Sequence, residues 1–379
     1  MKLDIVSDAQ QFHSLASAWN HLNQQSIRGT IFSSWDWHYS WWQFYSQDQD
    51  LLRILCFSVD QRLVGILPLY CRRQRLGLPP ATYTLRFTGT GEPRPDEVAS
   101  EYLDVLTLPE FEEEIADAAI AWMHSFKEWQ DVTLNCLLEG SALSTALERQ
   151  SGNTHLYRQS VGSRYQVPLA GGQASFFDRL GTSRVKRLQR SLRAADKAGG
   201  VRYESIESAE EIDNFLEELA VLSHERQTSM NRKSVFSSQC FTLFHHQLVR
   251  RLYEQGKCDI HKLFIGHRLM AMLYCFYDRH TSYYYQSGFA SREANRYQPL
   301  SLAHLWEMDS AHSAGRQHYD LMRGETPCYK DEFGCDLTPM ENVYLFRSNY
   351  QRAQYVWLRS CRAELVHTLK KAGVERRHS

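Results

Sequence analysis

One arrangement occurs twice in this chain, and it limits the possible folds more than any single motif does. "LLRILCFSVDQRLVGILPLYCRR" (51–73) and "CDIHKLFIGHRLMAMLYCFYDRH" (258–280) each read as an apolar strand, a tight polar turn, then Arg-Leu entering a second apolar strand. An aromatic-rich strand follows each: "YTLRFTGTG" (83–91) and "SYYYQSGFA" (282–290). Further on, each half has a Tyr/Asp strand, in "EYLDVLTL" (101–108) and "QHYDLMRG" (317–324). A repeat spaced by about 200 residues indicates duplicated domains, since solenoids repeat roughly every 20–50. Any two β-hairpins share some likeness, so it is the order of elements after the hairpin that favours duplication.

Helical patterns cover 8–24, 35–46, 110–129, 183–198, 208–226, 238–255, 299–314 and 348–372. Strand-like runs cover 51–59, 62–71, 83–88, 101–107, 131–136, 164–169, 201–206, 258–265, 268–277, 281–288, 317–322 and 341–347. The alternation predicts an α+β or α/β fold with strands in meanders between helices. The junction between halves is expected near 155–170, in a polar, Gly-rich stretch with a strand crossing into the second half, and the C-terminal "KKAGVERRHS" is expected to fray.

The 379 residues suffice for two or three domains, and a net charge of −1 gives no general reason to bind DNA or an anionic membrane. The N-terminus has charges where a secretory signal would be apolar, and no run is long enough to span a membrane. The nine cysteines are scattered without a C-x-x-C, so reduced thiols in a cytoplasmic protein are expected. No H-E-x-x-H occurs, and the adjacent His245 and His246 would point apart on a helix, so no metal is expected.

Four stretches could carry chemistry. Tyr283–Tyr285 form a strand ending at Ser287-Gly288, followed by Arg292, Arg296 and a helix that Pro299 opens and Gly315 closes. The start of that helix has free N–H groups and a positive dipole end, suited to a diphosphate; a capped surface helix would read the same way. Helix 182–198 buries Val185, Leu188, Leu192 and Ala195 on one stripe, and carries Arg184, Lys186, Arg187, Arg190, Arg193 and Lys197 elsewhere. It is either a solvated amphipathic helix or a positive wall for an anionic ligand. "LSHERQ" brings His224, Glu225 and Arg226 to a helix end, where His224 is a candidate base or a structural side chain. Trp35, Tyr39 and Trp42 share a helical spacing that suits core better than a ligand stack. Lastly, "YDLMRGETPCYKDEFG" (319–334) packs Asp320, Arg323, Glu325, Tyr329 and Lys330 around Gly324, just past a buried strand. A carboxylate there could take a proton from an attacking amine, and a phenol could give one to a leaving thiolate. A surface salt-bridge cluster would use the same residues.

That last stretch resembles the strand, Gly-Glu and Tyr-Lys ending of the CelD-like (cellulose biosynthesis) acetyltransferases, a branch of the GNAT N-acetyltransferase superfamily. "FDRLGTSRVKRLQRSLRAADKAGGV", "LSHERQ", the "GFA…P…L" passage, "FSSWDWHYSWWQFY" and "DQRLVGILPLY" are also similar, so the likeness runs from about 30 to 350. It implies an α+β fold of tandem GNAT-like (acyl-CoA N-acyltransferase) domains, mixed sheets flanked by helices: 1–160, 161–347 with the donor site, and a C-terminal helix and tail, 348–379. It implies acyl transfer, most simply acetyl, from acyl-CoA to an amine or hydroxyl of a small acceptor such as a sugar intermediate of surface polysaccharide. The pantetheine arm would lie between splayed strands 268–277 and 281–288. Tyr285, Ser287, Gly288, Arg292, Arg296, Tyr297, Gln298, Leu300 and Ser301 would hold the cofactor. Asp320, Glu325 or His224 would assist deprotonation, Tyr329 would protonate the sulfur, and Lys330 would orient an anionic group. Arg187, Arg190, Arg226 and Arg323 would meet the substrate. Many relatives have a small Ser-Pro-Gly turn where this chain has Tyr297-Gln298-Pro299-Leu300. The alternatives are a Fem-type transferase that takes aminoacyl-tRNA along helix 182–198, and a non-catalytic assembly protein with the same fold.

Overall fold

The computed structural model describes residues 1–73, 83–150 and 155–371. Residues 151–154, just before the expected junction, and the tail from 372 onward lie outside the described residues. The first half contains β1 (Lys2–Val6), α1 (Ala9–Ser14), α2 (Ala16–Gln25), α3 (Trp35–Tyr45), β2 (Leu51–Val59), β3 (Arg62–Arg73), β4 (Tyr83–Phe87), β5 (Leu106–Thr107), α4 (Glu112–Ser125), β6 (Trp129–Leu138), α5 (Ala142–Arg149) and β7 (His155–Pro168). The second contains α6 (Gly172–Arg179), α7 (Thr182–Lys197), β8 (Val201–Glu204), α8 (Ile212–Ser229), α9 (Gln239–Tyr253), β9 (Cys258–Ile265), β10 (Arg268–Tyr277), β11 (Thr281–Phe289), α10 (Ala294–Tyr297), α11 (Pro299–Ser313), β12 (His318–Gly324), β13 (Asp336–Phe346) and α12 (Asn349–Lys371).

Local chemistry starts and stops these elements. Ser34, Ser141 and Ser238 accept backbone N–H bonds as N-caps of α3, α5 and α9. The β2–β3 turn puts Asp60 and Gln61 at positive φ, as two-residue hairpins require, and Gly266 does the same between β9 and β10. Pro299 opens α11, and Gly315 follows its end at φ +79°.

The strands form one sheet in the order β1-β2-β3-β4-β6-β13-β7-β12-β11-β10-β9-β8, with β5 against β3. The order is a palindrome in kind. Each half has a meander whose third strand runs parallel to its next neighbour: β4 beside β6, and β11 beside β12. A helix makes each parallel crossover, α4 in the first half and α11 in the second. The last strands are exchanged. β7 pairs with β12 of the second half, β13 pairs with β6 of the first, and the two strands pair antiparallel with each other. The expected tandem α+β architecture is present, and the repeat shows as two copies of one strand order.

One part of the repeat was misplaced. Residues 101–105 are not a strand, because Ala99 and Tyr102 have positive φ and turn the chain across to the second half. The counterpart of β12 is β6, and the two share a peculiarity. Each carries a left-handed residue at a register shift, Met322 (φ +64°) in β12 and Cys136 (φ +56°) in β6.

Side chains alternate between two cores, as a sheet covered on both faces requires. Met272, Tyr274 and Phe276 enter a core that runs from α3 and α4 to α9. Leu273, Cys275 and Tyr277 enter another beneath α7 and α11. Trp37 and Trp41 are fully buried, whereas Tyr39 and Trp42 are only partly so. The stripe of α3 is therefore rotated from the expected Trp35, Tyr39 and Trp42. All nine cysteines are free.

The strand exchange depends on a close approach at Gly162 (φ +100°), where an added Cβ would stand 2.2 Å from the Gly324 carbonyl oxygen. Gly162→Ala combines backbone strain with a backbone clash, and should lower unfolding free energy by about 2 kcal/mol or more. Urea denaturation checks this, and an unchanged midpoint would show that the β7–β12 contact can yield.

Candidate active site

The register of β12 creates the site. β11 and β12 pair only from Thr281–Tyr283 against His318–Asp320, although both strands continue further. Beyond Asp320 the bulge at Met322 turns β12 away. Strands 268–277 and 281–288 are therefore not the splayed pair. They form a hydrogen-bonded antiparallel hairpin, and the opening lies one strand over, between β11 and β12.

Asp320 sits where this ladder ends, and it is fully buried. Its Oδ2 is 2.9 Å from Arg164 Nε on β7, and its Oδ1 accepts from Tyr102 Oη at 2.9 Å and Met322 N–H at 2.7 Å. Burial raises the Asp320 pKa above the usual carboxylate value, with Arg164 opposing the rise. Glu101, on the same crossing loop, accepts from Arg323 N–H at 2.7 Å. Burial pushes its carboxyl up to about 6 against the pull of Arg323 and Lys330. Lys330 donates to the carbonyls of Met322 and Arg323, and burial lowers its pKa although Glu101 and Asp320 resist. The ammonium therefore ties down the bulge and is not turned toward an acceptor's anionic group. The Arg323 side chain lies 3.6 Å from Glu101 and 4.0 Å from Glu97, so it too is engaged by the first half.

The opposite face of the opening is aromatic. Tyr284 Oη bonds Ser287 Oγ at 2.6 Å, and the Tyr284 ring lies 4.6 Å from His304 of α11. Tyr329 arrives there from the turn after β12. Its ring is 40% exposed, but its hydroxyl turns inward near Tyr284, and burial raises its pKa well above that of an ordinary phenol. Arg226 lies over Phe289 at 4.8 Å and also faces Tyr329. Tyr165 Oη donates to Asp331 Oδ1 at 2.8 Å and holds that turn against β7.

The turn and the start of α11 do meet, through Arg184. This side chain bonds Gln298 Oε1 at 2.9 Å and Ser301 Oγ at 2.9 Å, and stands 2.6 Å from Glu332. Arg187 also pairs with Glu332, at 2.7 Å. Gln298 holds φ +46° and donates to Ser191 of α7. Tyr297 is buried and Leu300 half-buried, while Arg292 and Arg296 are exposed, Arg296 lying over the Tyr297 ring. Gly288 lets α8 lie against β11, since a Cβ there would stand 2.5 Å from Leu222 Cβ.

Several expected residues fall outside this constellation. His224, Glu325 and Arg190 are exposed, and none joins the buried cluster around Asp320. Tyr285 faces the first half, where it donates to Val98 O at 2.6 Å and bonds His245 at 3.0 Å, so it is core and not a cofactor contact. Sequence reasoning missed Glu101, Tyr102 and Arg164. The first two were taken for strand, and Arg164 had no motif around it.

A cavity of about 900 Å³ lies on the Asp320 side, with Tyr102, Arg164 and Tyr283 in its wall. It opens toward Thr281 and His318, away from the start of α11. Elsewhere, beneath α11, His261 Nε2 lies 3.1 Å from Glu307, with Cys275 within 4.8 Å of both. Burial acts to lower the His261 pKa, but Glu307 and Asp259 outweigh it and raise it, as in an internal ion pair.

A family profile of the acetyltransferase (GNAT) domain matches residues 182–331, which include both faces of the β11–β12 opening. No curated protein matches the chain in sequence. Among solved structures, FemX is similar at a TM-score of 0.62 and 10% identity, over 94% of this chain and 100% of its own. The C-terminal domain of a proposed lysylphosphatidylglycerol synthetase from Agrobacterium fabrum aligns at 0.53 and 9%, over 91% and 95%. L-PGS from Bacillus licheniformis aligns at 0.51 and 9%, over 89% and 91%. Likeness at such identities speaks to fold, and the fold is the GNAT type in tandem. Among the described residues, no helix is long and apolar enough to cross a membrane.

The buried acids make stability depend on pH. A carboxyl whose folded pKa is raised contributes stability below its unfolded pKa and loses it as pH rises through the folded value. Unfolding free energy should therefore fall as pH rises from 4.5 to about 6, where Glu101 ionises. Glu101→Gln should flatten that fall by about 2 kcal/mol in urea titrations across the interval. An unchanged slope would mean that Glu101 is already ionised at low pH.

Proposed function

We propose that the protein transfers an acyl group, most simply acetyl, from acyl-CoA directly to an amine or hydroxyl of a small acceptor. The observation that carries this reading is the opening of β11 from β12 beyond Asp320, with a carboxylate on one face and a phenol on the other. Residues 161–347 would hold the donor, and 1–160 would complete the acceptor side.

A thioester laid through the opening would have its carbonyl near Asp320 and its sulfur near Tyr329. The acceptor nitrogen forms a bond to the acyl carbon as the carbon–sulfur bond breaks. Its proton leaves through the Tyr102 hydroxyl toward Asp320, and the thiolate takes the Tyr329 proton. The raised phenol pKa keeps that proton in place until the sulfur carries charge. Holding both reactants at one gap supplies the remaining acceleration. Asp320 is thus a positioning group that acts through Tyr102.

The two crossover helices support placing the donor in the second half. The first turn of α11 has no acidic residue, while that of α4 has Glu112, Glu113 and Glu114. A diphosphate is attracted by the first helix start and repelled by the second. Arg184, now paired with Glu332, stands ready to exchange that carboxylate for phosphate. The CelD-like resemblance directs the acceptor search to amino sugars of surface polysaccharide. The likeness to FemX makes aminoacyl-tRNA the donor to test beside acyl-CoA.

Acyl-CoA-dependent release of free CoA is the assay. Tyr329→Phe and Asp320→Asn should each lower kcat by about 100-fold or more, with the fold intact by circular dichroism. Full turnover in both variants would remove the site. Ser301→Glu should raise the KM for acyl-CoA about tenfold by placing a carboxylate at the start of α11, and an unchanged KM would move the diphosphate elsewhere.

A further inference from the structure

The large cavity is separate from the start of α11 and occupies the open end of the first half. Because β6 runs antiparallel to β13, β13 to β7 and β7 to β12, the two halves open in opposite directions. The C-terminal end of β6 therefore lies at the same end of the sheet as Thr281 and His318, the closed end of the second half. Leu138, the last residue of β6, and Ser141 just past it line the cavity with Thr281, His318 and Arg164. In the first half the helix start that would attract a diphosphate carries three glutamates, and Arg28 binds one of them, Glu112, through two hydrogen bonds of 2.8 Å. The hollow remains, but the feature that would suit it to a nucleotide-bearing donor has gone.

The charge balance of the wall points to a different ligand. Arg164, Lys257 and Arg279 line the cavity, as do His280 and His318. Two carboxylates line it too, but both are occupied by the protein. Asp104 accepts N–H bonds from Val105, Ala142 and Leu143, and Asp278 accepts them from His280 and Thr281 and a hydroxyl bond from Tyr283. Both keep their charge, and Asp278 acts on Arg164 and His318 while Asp104 acts on Arg28. Arg164 meets Asp320 at 2.9 Å through Nε, and Lys257 donates only to the amide oxygen of Gln255 among the described residues. Gln166, also in the wall, has a buried side-chain N–H₂ without a partner. Lys257 and Arg279 thus have no carboxylate partner among the described residues, and with the Gln166 N–H₂ they favour a ligand that brings acceptors and negative charge.

We propose that this cavity is the acceptor site and that its ligand is an anionic, hydroxyl-rich amine of sugar-phosphate type, held by Arg164, Lys257, Arg279 and Gln166. The assignment rests on the acyl-transfer reading for the acceptor role and its amine, while the ligand's negative charge follows from Lys257, Arg279 and Gln166 in the wall. The volume of about 900 Å³ exceeds what one hexose phosphate needs, leaving room for a larger group on the same sugar. The amine would lie against Tyr102, on the path to Asp320.

Isothermal titration of the full chain with glucosamine 6-phosphate and with glucosamine tests the charge requirement. The phosphorylated sugar should bind at least about tenfold more tightly. The double variant K257E/R279E, altered at residues outside the buried cluster, should weaken glucosamine 6-phosphate by about tenfold or more while leaving acetyl-CoA affinity unchanged. Equal affinity for the two sugars, no effect of the double variant, or no binding of either sugar would overturn the proposal. Acetyl-CoA binding without sugar-phosphate binding would sink the cavity assignment and spare the acyl-transfer reading. Sugar-phosphate binding that depends on Lys257 and Arg279, without acetyl-CoA binding, would do the reverse.

Discussion

The antiparallel pairing of β7 with β13 holds the molecule to one geometry. Each strand belongs in sequence to one half and adds to the sheet of the other, so neither half can complete its sheet alone. The pairing also sets direction: three antiparallel steps from β6 to β12 make the two halves open toward opposite ends. Gly162 and Gly324 are close because the bulged stretches of β7 and β12 must pass each other there. The Arg164–Asp320 ion pair lies at the same junction. A buried pair of this kind is costly to desolvate, and its stability depends on keeping both partners. It couples the exchanged strand to the point where the parallel ladder ends.

From one strand order the halves have taken different chemistry. The second keeps a helix start free of acids, a phenol at the opening and a basic helix that lends Arg184. The first has glutamates at its equivalent helix start and contributes a loop, 99–105, that crosses over and supplies Glu101 and Tyr102. The buried cluster around Asp320 is assembled from both halves. The buried carboxyls, Glu101 at about 6 and Asp320 raised, follow from that assembly, because the crossing loop is what excludes water from them.

Much of the fold was legible in the sequence. The hairpins at 51–73 and 258–280, the α7 stripe, Pro299 and Gly315 depend on periodicity and on residues with narrow backbone preferences, which act over a few neighbours. The stretch 319–334 was legible as a candidate site, since so many ionisable groups follow a buried strand. The rest was hidden for stated reasons. The 101–107 run alternates like a strand, yet positive φ at Ala99 and Tyr102 is imposed by contacts with the other half. Tyr285 looked like a cofactor contact because it stands two residues before Ser287, on the same face by strict alternation, but the register shift of β11 between Tyr284 and Gln286 turns it to the other. Lys330 and Arg323 read as groups for a substrate, and they serve the bulge and the crossing loop.

By itself the sequence determined the two strand meanders, the helix that opens at Pro299 and the candidacy of Asp320 and Tyr329. Each of these follows from hydrophobic period, capping chemistry or residue type within a short window. Only the tertiary structure decided that β11 parts from β12 and not from β10, that Glu101, Tyr102 and Arg164 surround Asp320, and that a cationic hollow opens at the far end. The surroundings of Asp320 depend on pairings between residues more than 150 positions apart, such as Tyr102 with Asp320, and no local pattern encodes which distant partner a buried charge will meet.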